Sequence, residues 1–370
     1  MLAEFFDQYA ASYDFAKRDG GWCYEDGCIY RGLLELSRAT GDAHWFDHLC
    51  RLIATQLRED GTIKGYAPEE YNIDHILSGR VLFALRQSAG DRFDRALDLL
   101  ASQLERHPRT ASGNYWHKKI YPDQVWLDGL YMGLPFQIEY GLLRGRGDLV
   151  DDAAGQILRA VSLMRDKVTG LHFHGYDQSR RADWCDPQTG LSASFWGRAN
   201  GWLSMAMIDA YELLPGDHAA RADLKARIIA LAEAVLARRT ANGLWLQVMD
   251  RPDLEGNYEE TSASAMFAYF LLKSARLIAA LAPLAADGDA AVAALRRHHV
   301  SRPEGIWRID NACEVAGLGG FFGKKRDGSA HYYTTEPVVS NDPKAVGPLM
   351  MAVAEQERAE IVHPLARTGG

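Results

Sequence analysis

The chain has 370 residues, long enough for one large domain or two ordinary ones, and 47% of them are apolar, ample for an extensive core. A formal net charge of −8 argues against a general nucleic-acid binder, which needs a basic surface, and leaves an anionic small ligand to be captured by a few local cations. The five cysteines (Cys23, Cys28, Cys50, Cys185 and Cys313) form no CxxC pair, so neither a zinc knuckle nor a disulfide framework is expected, and reduced thiols fit a cytoplasmic protein. The N-terminus carries acids early and lacks a basic, then apolar, leader pattern. The most apolar stretch, 277–286, is too short for a membrane span and holds Pro283.

In chain order, the first helix is expected to begin near Asp26 and carries Leu33, Leu34 and Leu36; the next begins near Tyr71 with Ile76, Leu77, Val81, Leu82 and Leu85. Later starts are predicted near Asp123, Phe195, Tyr258 and Asn341. Two kinds of connection separate the helical segments. One is a recurring Gly-Asp pair: Gly41-Asp42, Gly90-Asp91, Gly147-Asp148, Gly216-Asp217 and Gly288-Asp289. Glycine tolerates the left-handed backbone that ends a helix, and aspartate caps the next one, so each pair reads as a tight helix–helix turn. The other is longer and aromatic: Asp60-Gly-Thr-Ile-Lys-Gly-Tyr, Ser112-Gly-Asn-Tyr-Trp, Thr169-Gly-Leu-His-Phe-His, Asn242-Gly-Leu-Trp and Glu304-Gly-Ile-Trp. Short turns on one side and long loops on the other describe six hairpins closed into an all-α (α/α)6 barrel over residues 1–370. Every inner helix then starts on one face, and residues far apart in sequence converge there.

Asp128 is the first candidate on that face. With Pro122 and Asp123 read as the helix start, it lies past the first turn among Trp126, Leu127, Leu130, Tyr131 and Met132, where desolvation favours a protonated general acid. A buried structural carboxylate is the competing reading. Asp74 occupies the equivalent point of the preceding inner helix, either as a second catalytic carboxylate or as an acid favoured by the helix dipole. Trp126, Trp196 and Trp202 offer flat faces for sugar rings; Arg198 offers the fork that a uronate carboxylate needs; His117, Lys118 and His174 add donors and charge. Tryptophan in a helical ring is more often core, and an exposed lysine more often merely solvated. Gly319-Gly-Phe-Phe-Gly-Lys-Lys lacks the spacing of a phosphate loop, and His172-x-His174 with Asp183 and Asp186 matches no defined metal-ligand set, so no metal is assigned.

Trp126-Leu-Asp-Gly-Leu-Tyr-Met-Gly-Leu-Pro-Phe, Phe195-Trp-Gly-Arg-Ala-Asn-Gly-Trp and Tyr258-Glu-Glu-Thr-Ser-Ala-Ser-Ala-Met-Phe-Ala-Tyr resemble the unsaturated rhamnogalacturonyl hydrolases, glycoside hydrolase family 105. So do Gly317-Leu-Gly-Gly, Arg326-Asp-Gly-Ser and Glu336-Pro-Val-Val-Ser-Asn-Asp-Pro-Lys-Ala-Val-Gly-Pro in the tail. The resemblance implies an (α/α)6 barrel that removes the non-reducing-end unsaturated galacturonic acid from pectin-derived oligosaccharides. It implies Asp128 as general acid/base, with Asp74, His117, Lys118, His174 and Arg198 in matching positions. The chemistry so implied protonates an alkene carbon and hydrates a vinyl ether, with no metal or organic cofactor. The partner is then a small anionic oligosaccharide, with neither nucleic acid nor membrane. The rival readings are a related unsaturated glucuronyl hydrolase, a sugar epimerase on the same barrel, and a non-catalytic binding protein. The loop with Arg180, Arg181 and Cys185 matches no family pattern and bears on the second sugar.

Overall fold

The computed structural model describes residues 1–321 and 323–362; residues 363–370 of the expected domain, and Phe322 of the glycine-rich 319–325 segment, lie outside the described residues. The first helices are α1 (Leu2–Ala11), α2 (Tyr24–Thr40) and α3 (Ala43–Ile53), followed by a 3-10 segment (Ile73–Val81) that runs into α4 (Leu82–Ala89). Then come α5 (Asp94–Arg106), α6 (Leu127–Arg144), α7 (Gly147–Met164), α8 (Gly197–Leu213) and α9 (Arg221–Leu236). The last are α10 (Thr261–Leu277), α11 (Ala285–His298), the short α12 (Ala330–Thr334) and α13 (Pro343–Val362).

Contacts close the inner ring: α2 meets the 3-10 segment, which meets α6, then α8, α10, α13 and α2 again. This is the (α/α)6 barrel. The inner helices are covered on both faces and are apolar or small apart from a few paired buried charges such as Asp209 and Lys273; in α10 every residue from Thr261 to Ser274 is buried. Outer helices such as α3 and α5 bury one stripe only. The sixth hairpin joins the two ends of the described chain, α13 inside and α1 outside, and Tyr9 Oη of α1 donates to Asn341 O just ahead of α13 at 2.9 Å. No described helix is long and apolar enough to cross a membrane.

The Gly-Asp turns hold in part. Gly41 (φ 70°) ends α2, and the Asp42 side chain accepts from His44 N at 2.9 Å to cap α3. Gly90 (φ 78°) ends α4, and Gly216-Asp217 lies between α8 and α9. After α6, however, the left-handed residue is Gly145 (φ 64°), and Gly147 already belongs to α7. Gly288-Asp289 is not a turn at all. It lies inside α11, where a Cβ on Gly288 would stand 2.5 Å from Leu272 Cγ of α10, so this glycine serves helix crossing. The link from α10 to α11 is instead a 3-10 stretch, Ala279–Leu284.

Long loops cover the face where the inner helices begin. They form β1 (Gln124–Trp126) paired antiparallel with β2 (Gly175–Asp177), then β3 (Val300–Ser301) with β4 (Arg308–Ile309), and β5 (Ala312–Cys313) with β6 (Val338–Val339). Strand β1 corrects the expected helix start. Asp123 has φ 61°, residues 124–126 pair with β2, and α6 begins only at Leu127.

Candidate active site

Because α6 starts late, Asp128 lies in its first turn, at the mouth of the ring, with a side chain 13% exposed. The same placement recurs around the ring. Glu25, Asp74, Asp128, Arg198 and Lys344 are each the second residue of an inner element, and Glu260 is the N-cap of α10. Six inner N-termini thus bring six ionisable side chains to one opening, and the aligned backbone N–H groups add a field that favours an anion.

Asp128 Oδ2 stands 3.0 Å from His174 Nε2, and neither atom has a hydrogen bond as placed. His174 is fully buried, and its Nδ1 is 2.7 Å from Tyr333 Oη. Burial holds the Tyr333 phenol well above its ordinary pKa, so it keeps its proton. That hydroxyl has no other hydrogen-bond partner among the described residues, so it is placed to donate to Nδ1, an arrangement that would leave Nε2–H facing Asp128. Trp196 braces the arrangement: its ring stacks on Tyr333 (5.5 Å, 15°), and its Nε1 donates to Gln247 Oε1 at 3.0 Å. Gln247 Nε2 in turn donates to Tyr333 O at 3.0 Å.

Asp74 faces the same opening from the 3-10 segment. Lys118 Nζ is 2.7 Å from its Oδ2 and His117 Nε2 is 3.6 Å from its Oδ1. Burial works against the Lys118 ammonium, but the Asp74 carboxylate outweighs it and raises its pKa. Burial, with the Lys118 charge, holds His117 well below the usual imidazole range, so it is neutral. Its ring stacks on Trp126 (4.2 Å, 19°), which also stacks on Tyr121 (4.9 Å, 23°). Gly129, directly after Asp128, admits this packing; a Cβ there would stand 3.2 Å from His117 Nδ1 and from Ile73 Cγ2.

Arg198 is 1% exposed, donates through Nη2 to Cys313 O at 2.7 Å and lies over Trp196 at 5.1 Å. Its Nη1 has no hydrogen-bond partner among the described residues. Five buried polar atoms of this site have no hydrogen-bond partner among the described residues: Asp74 Oδ1, His117 Nδ1, Asp128 Oδ2, His174 Nε2 and Arg198 Nη1. Buried polar atoms are normally paired, so such a cluster at a ring mouth points to a polar, partly anionic ligand.

The structure therefore brings together Asp74, His117, Lys118, Trp126, Asp128, His174, Trp196 and Arg198. Trp202 lies a turn deeper on α8, stacked on Tyr131 (5.2 Å, 19°) and 1% exposed, as floor beneath the mouth. Sequence reading missed Tyr333, which carries no motif of its own, and Glu25, Lys344 and Glu260, which follow the rule of position that correct helix starts reveal. Glu260 accepts from Ser262 N, Ala263 N and Cys313 N, tying α10 to the strand that holds Arg198.

Glycosyl Hydrolase Family 88 matches residues 1–360. Protein Atu3128 of Agrobacterium fabrum is 51% identical over 229 residues, covering 60% of this chain and 97% of that protein. The unsaturated rhamnogalacturonyl hydrolase YesR of Bacillus subtilis is 28% identical over 266 residues, covering 70% of this chain and 72% of its own. Among solved structures, a C. acetobutylicum glycoside hydrolase from family 105 is 38% identical, with a TM-score of 0.90 over 96% of this chain and 98% of that one.

Proposed function

Because the chain belongs to Glycosyl Hydrolase Family 88, as a glycoside hydrolase of the unsaturated uronyl group, we propose that it releases 4,5-unsaturated galacturonic acid from the non-reducing end of pectin-derived rhamnogalacturonan oligosaccharides. The observation that carries this reading is the chain Tyr333–His174–Asp128 beside an arginine with a free Nη1. Arg198 receives the uronate carboxylate, Asp74 accepts from a ring hydroxyl while Lys118 neutralises it, and His174, with Nε2 3.0 Å from Asp128 Oδ2, orients the acid. The other carboxyl oxygen of Asp128 is left to deliver its proton.

Asp128 protonates C4 of the ring, and the vinyl-ether electrons leave positive charge shared between C5 and the ring oxygen. Water adds at C5 and gives its proton back to Asp128. The hemiketal opens to a C5 ketone, and the hemiacetal so formed at C1 expels the aglycone as an alcohol. Each step moves a proton or adds water, so the residues described suffice and no cofactor enters. A cytoplasmic site of action belongs to the same proposal, since the five cysteines are free thiols.

Asp128→Asn should cut the loss of the unsaturated uronate's ultraviolet absorbance by about 10²–10⁴-fold with the helical circular dichroism unchanged. Near wild-type turnover by this variant sinks the assignment. A panel of unsaturated disaccharides read the same way tests the substrate: preferred turnover of glycosaminoglycan-derived glucuronides rejects the rhamnogalacturonan reading.

A further inference from the structure

Beside the mouth, the loops around Tyr121, Trp184, Gly319 and Arg326 enclose a cavity of about 310 Å³. It shares a wall with the candidate active site. His117 stacks on Trp126 and Trp126 on Tyr121, and Tyr121 lines the cavity. Two stacking intervals, of 4.2 and 4.9 Å, thus separate His117 from the cavity wall. The stacked rings fill that interval, so a substrate that leaves the mouth has to pass over this aromatic wall, and the wall is thin enough for its third sugar to reach the cavity.

The lining is cationic and aromatic. Arg326 donates to Tyr121 Oη at 2.7 Å and to the carbonyls of Leu318 (3.1 Å) and Gly319 (3.0 Å), which holds its guanidinium 5.9 Å over the Trp126 ring. Its charge is felt at His117 and Lys118, so it belongs electrostatically to both spaces. Arg181 and Lys325 line the cavity with no side-chain hydrogen bond or ion pair among the described residues. Trp184 packs into the wall, 4% exposed, and its buried indole Nε1 has no acceptor among the described residues. Two acids share the lining: Asp327, which accepts from Ser329 N at 3.0 Å and lies in the field of Lys325, and Asp183. Three cations therefore face two carboxylates, one of which is already engaged.

We infer that this cavity is a subsite for a second uronate, two sugars beyond the unsaturated ring, with Arg181 and Lys325 taking its carboxylate against the wall that Trp184 and Tyr121 form. The inference rests on the rhamnogalacturonan reading, because a polymer in which rhamnose and galacturonate alternate places its next carboxylate on that unit. It turns the unmatched loop before Trp184 into a determinant of substrate length.

The test compares the unsaturated disaccharide (unsaturated galacturonate–rhamnose) with the tetrasaccharide that adds one more galacturonate–rhamnose unit. In the wild type, kcat/KM should be about tenfold higher for the tetrasaccharide, a gain typical of partly exposed charge pairs acting together. In Arg181→Ala/Lys325→Ala the ratio should fall to near one with disaccharide turnover unchanged. A ratio near one in the wild type, or one that survives the double substitution, overturns the subsite while turnover of the disaccharide keeps the proposed function. Absence of turnover on both substrates defeats the function instead. The subsite is then judged by binding alone: tryptophan fluorescence of Asp128→Asn titrated with the intact tetrasaccharide should show about tenfold weaker affinity when both cations are removed, and equal affinity overturns the inference.

Discussion

Tyr333 and His174 lie 159 positions apart and meet through one 2.7 Å hydrogen bond. In Tyr333→Phe the ring can keep its stack on Trp196, but nothing holds the imidazole proton on Nε2, so His174 becomes able to accept from Asp128 in competition with the substrate carbon. We expect kcat to fall about tenfold, in the range for removing a group that orients a catalytic side chain, with KM little changed. Steady-state kinetics decide it; a loss confined to KM would make Tyr333 a substrate contact. Arg198→Lys tests the anion clamp. One ammonium cannot reproduce the fork that donates to Cys313 O and still presents a free Nη1, so KM for the unsaturated substrate should rise about tenfold or more. An unchanged KM would remove Arg198 from carboxylate binding.

Among the elements, the inner ring closes where glycines allow helices to touch. At the α2–α13 seam a Cβ on Gly347 would stand 2.3 Å from Cys28 O, and one on Gly32 would stand 2.8 Å from Met350 Cβ. Backbone cannot yield as a flexible side chain can. Gly347→Ala should therefore destabilise the protein by about 1–3 kcal/mol, although alanine in a helix interior is ordinarily favoured by about 1 kcal/mol. Gly147→Ala, at the start of α7 with nothing within 4 Å of the added carbon, is the control and should be neutral or slightly stabilising. Urea unfolding of the pair separates crowding from propensity; equal midpoints would contradict the tight seam.

At the scale of the whole molecule, buried charge and buried neutral histidine set the response to acid. Asp209 is gripped by Arg80, Lys273 and Tyr269, each at 2.6 Å, and despite burial the Lys273 and Arg80 charges hold its pKa below the usual carboxylate range. Burial lowers His75 and His172 to about 3 and His107 to about 4. Below the unfolded imidazole value near 6.5 the unfolded chain takes up protons that the folded chain refuses, so the stability these groups give above that pH is lost as pH falls toward 4. Asp26, raised by burial to about 6, opposes them between about 6 and 4. These three histidines, together with His117, outweigh the Asp26 carboxyl. Stability should drop by on the order of 1 kcal/mol per histidine for each pH unit below 6.5, less the Asp26 term. Calorimetric Tm values at constant ionic strength check this, and a flat Tm from pH 7 to 4.5 would contradict it.

The sequence by itself determined the ring. Left-handed glycines such as Gly41 and caps such as Asp42 act within one helical turn, so their spacing carries hairpin order without knowledge of the tertiary fold. It also marked Asp128, His174 and Arg198, whose blocks are locally distinctive. Only the tertiary structure decided how these groups meet. Pro122-Asp123 looks like a helix start, yet pairing with a strand some fifty residues away claims residues 124–126 and moves Asp128 into the first turn, at the mouth. Gly288-Asp289 copies the turn signal, yet a helix crossing uses its missing Cβ. The partner of His174 is Tyr333, 159 positions away in the chain. Backbone preference reaches over a few residues, whereas the acid's setting depends on which helix ends the closed ring brings together.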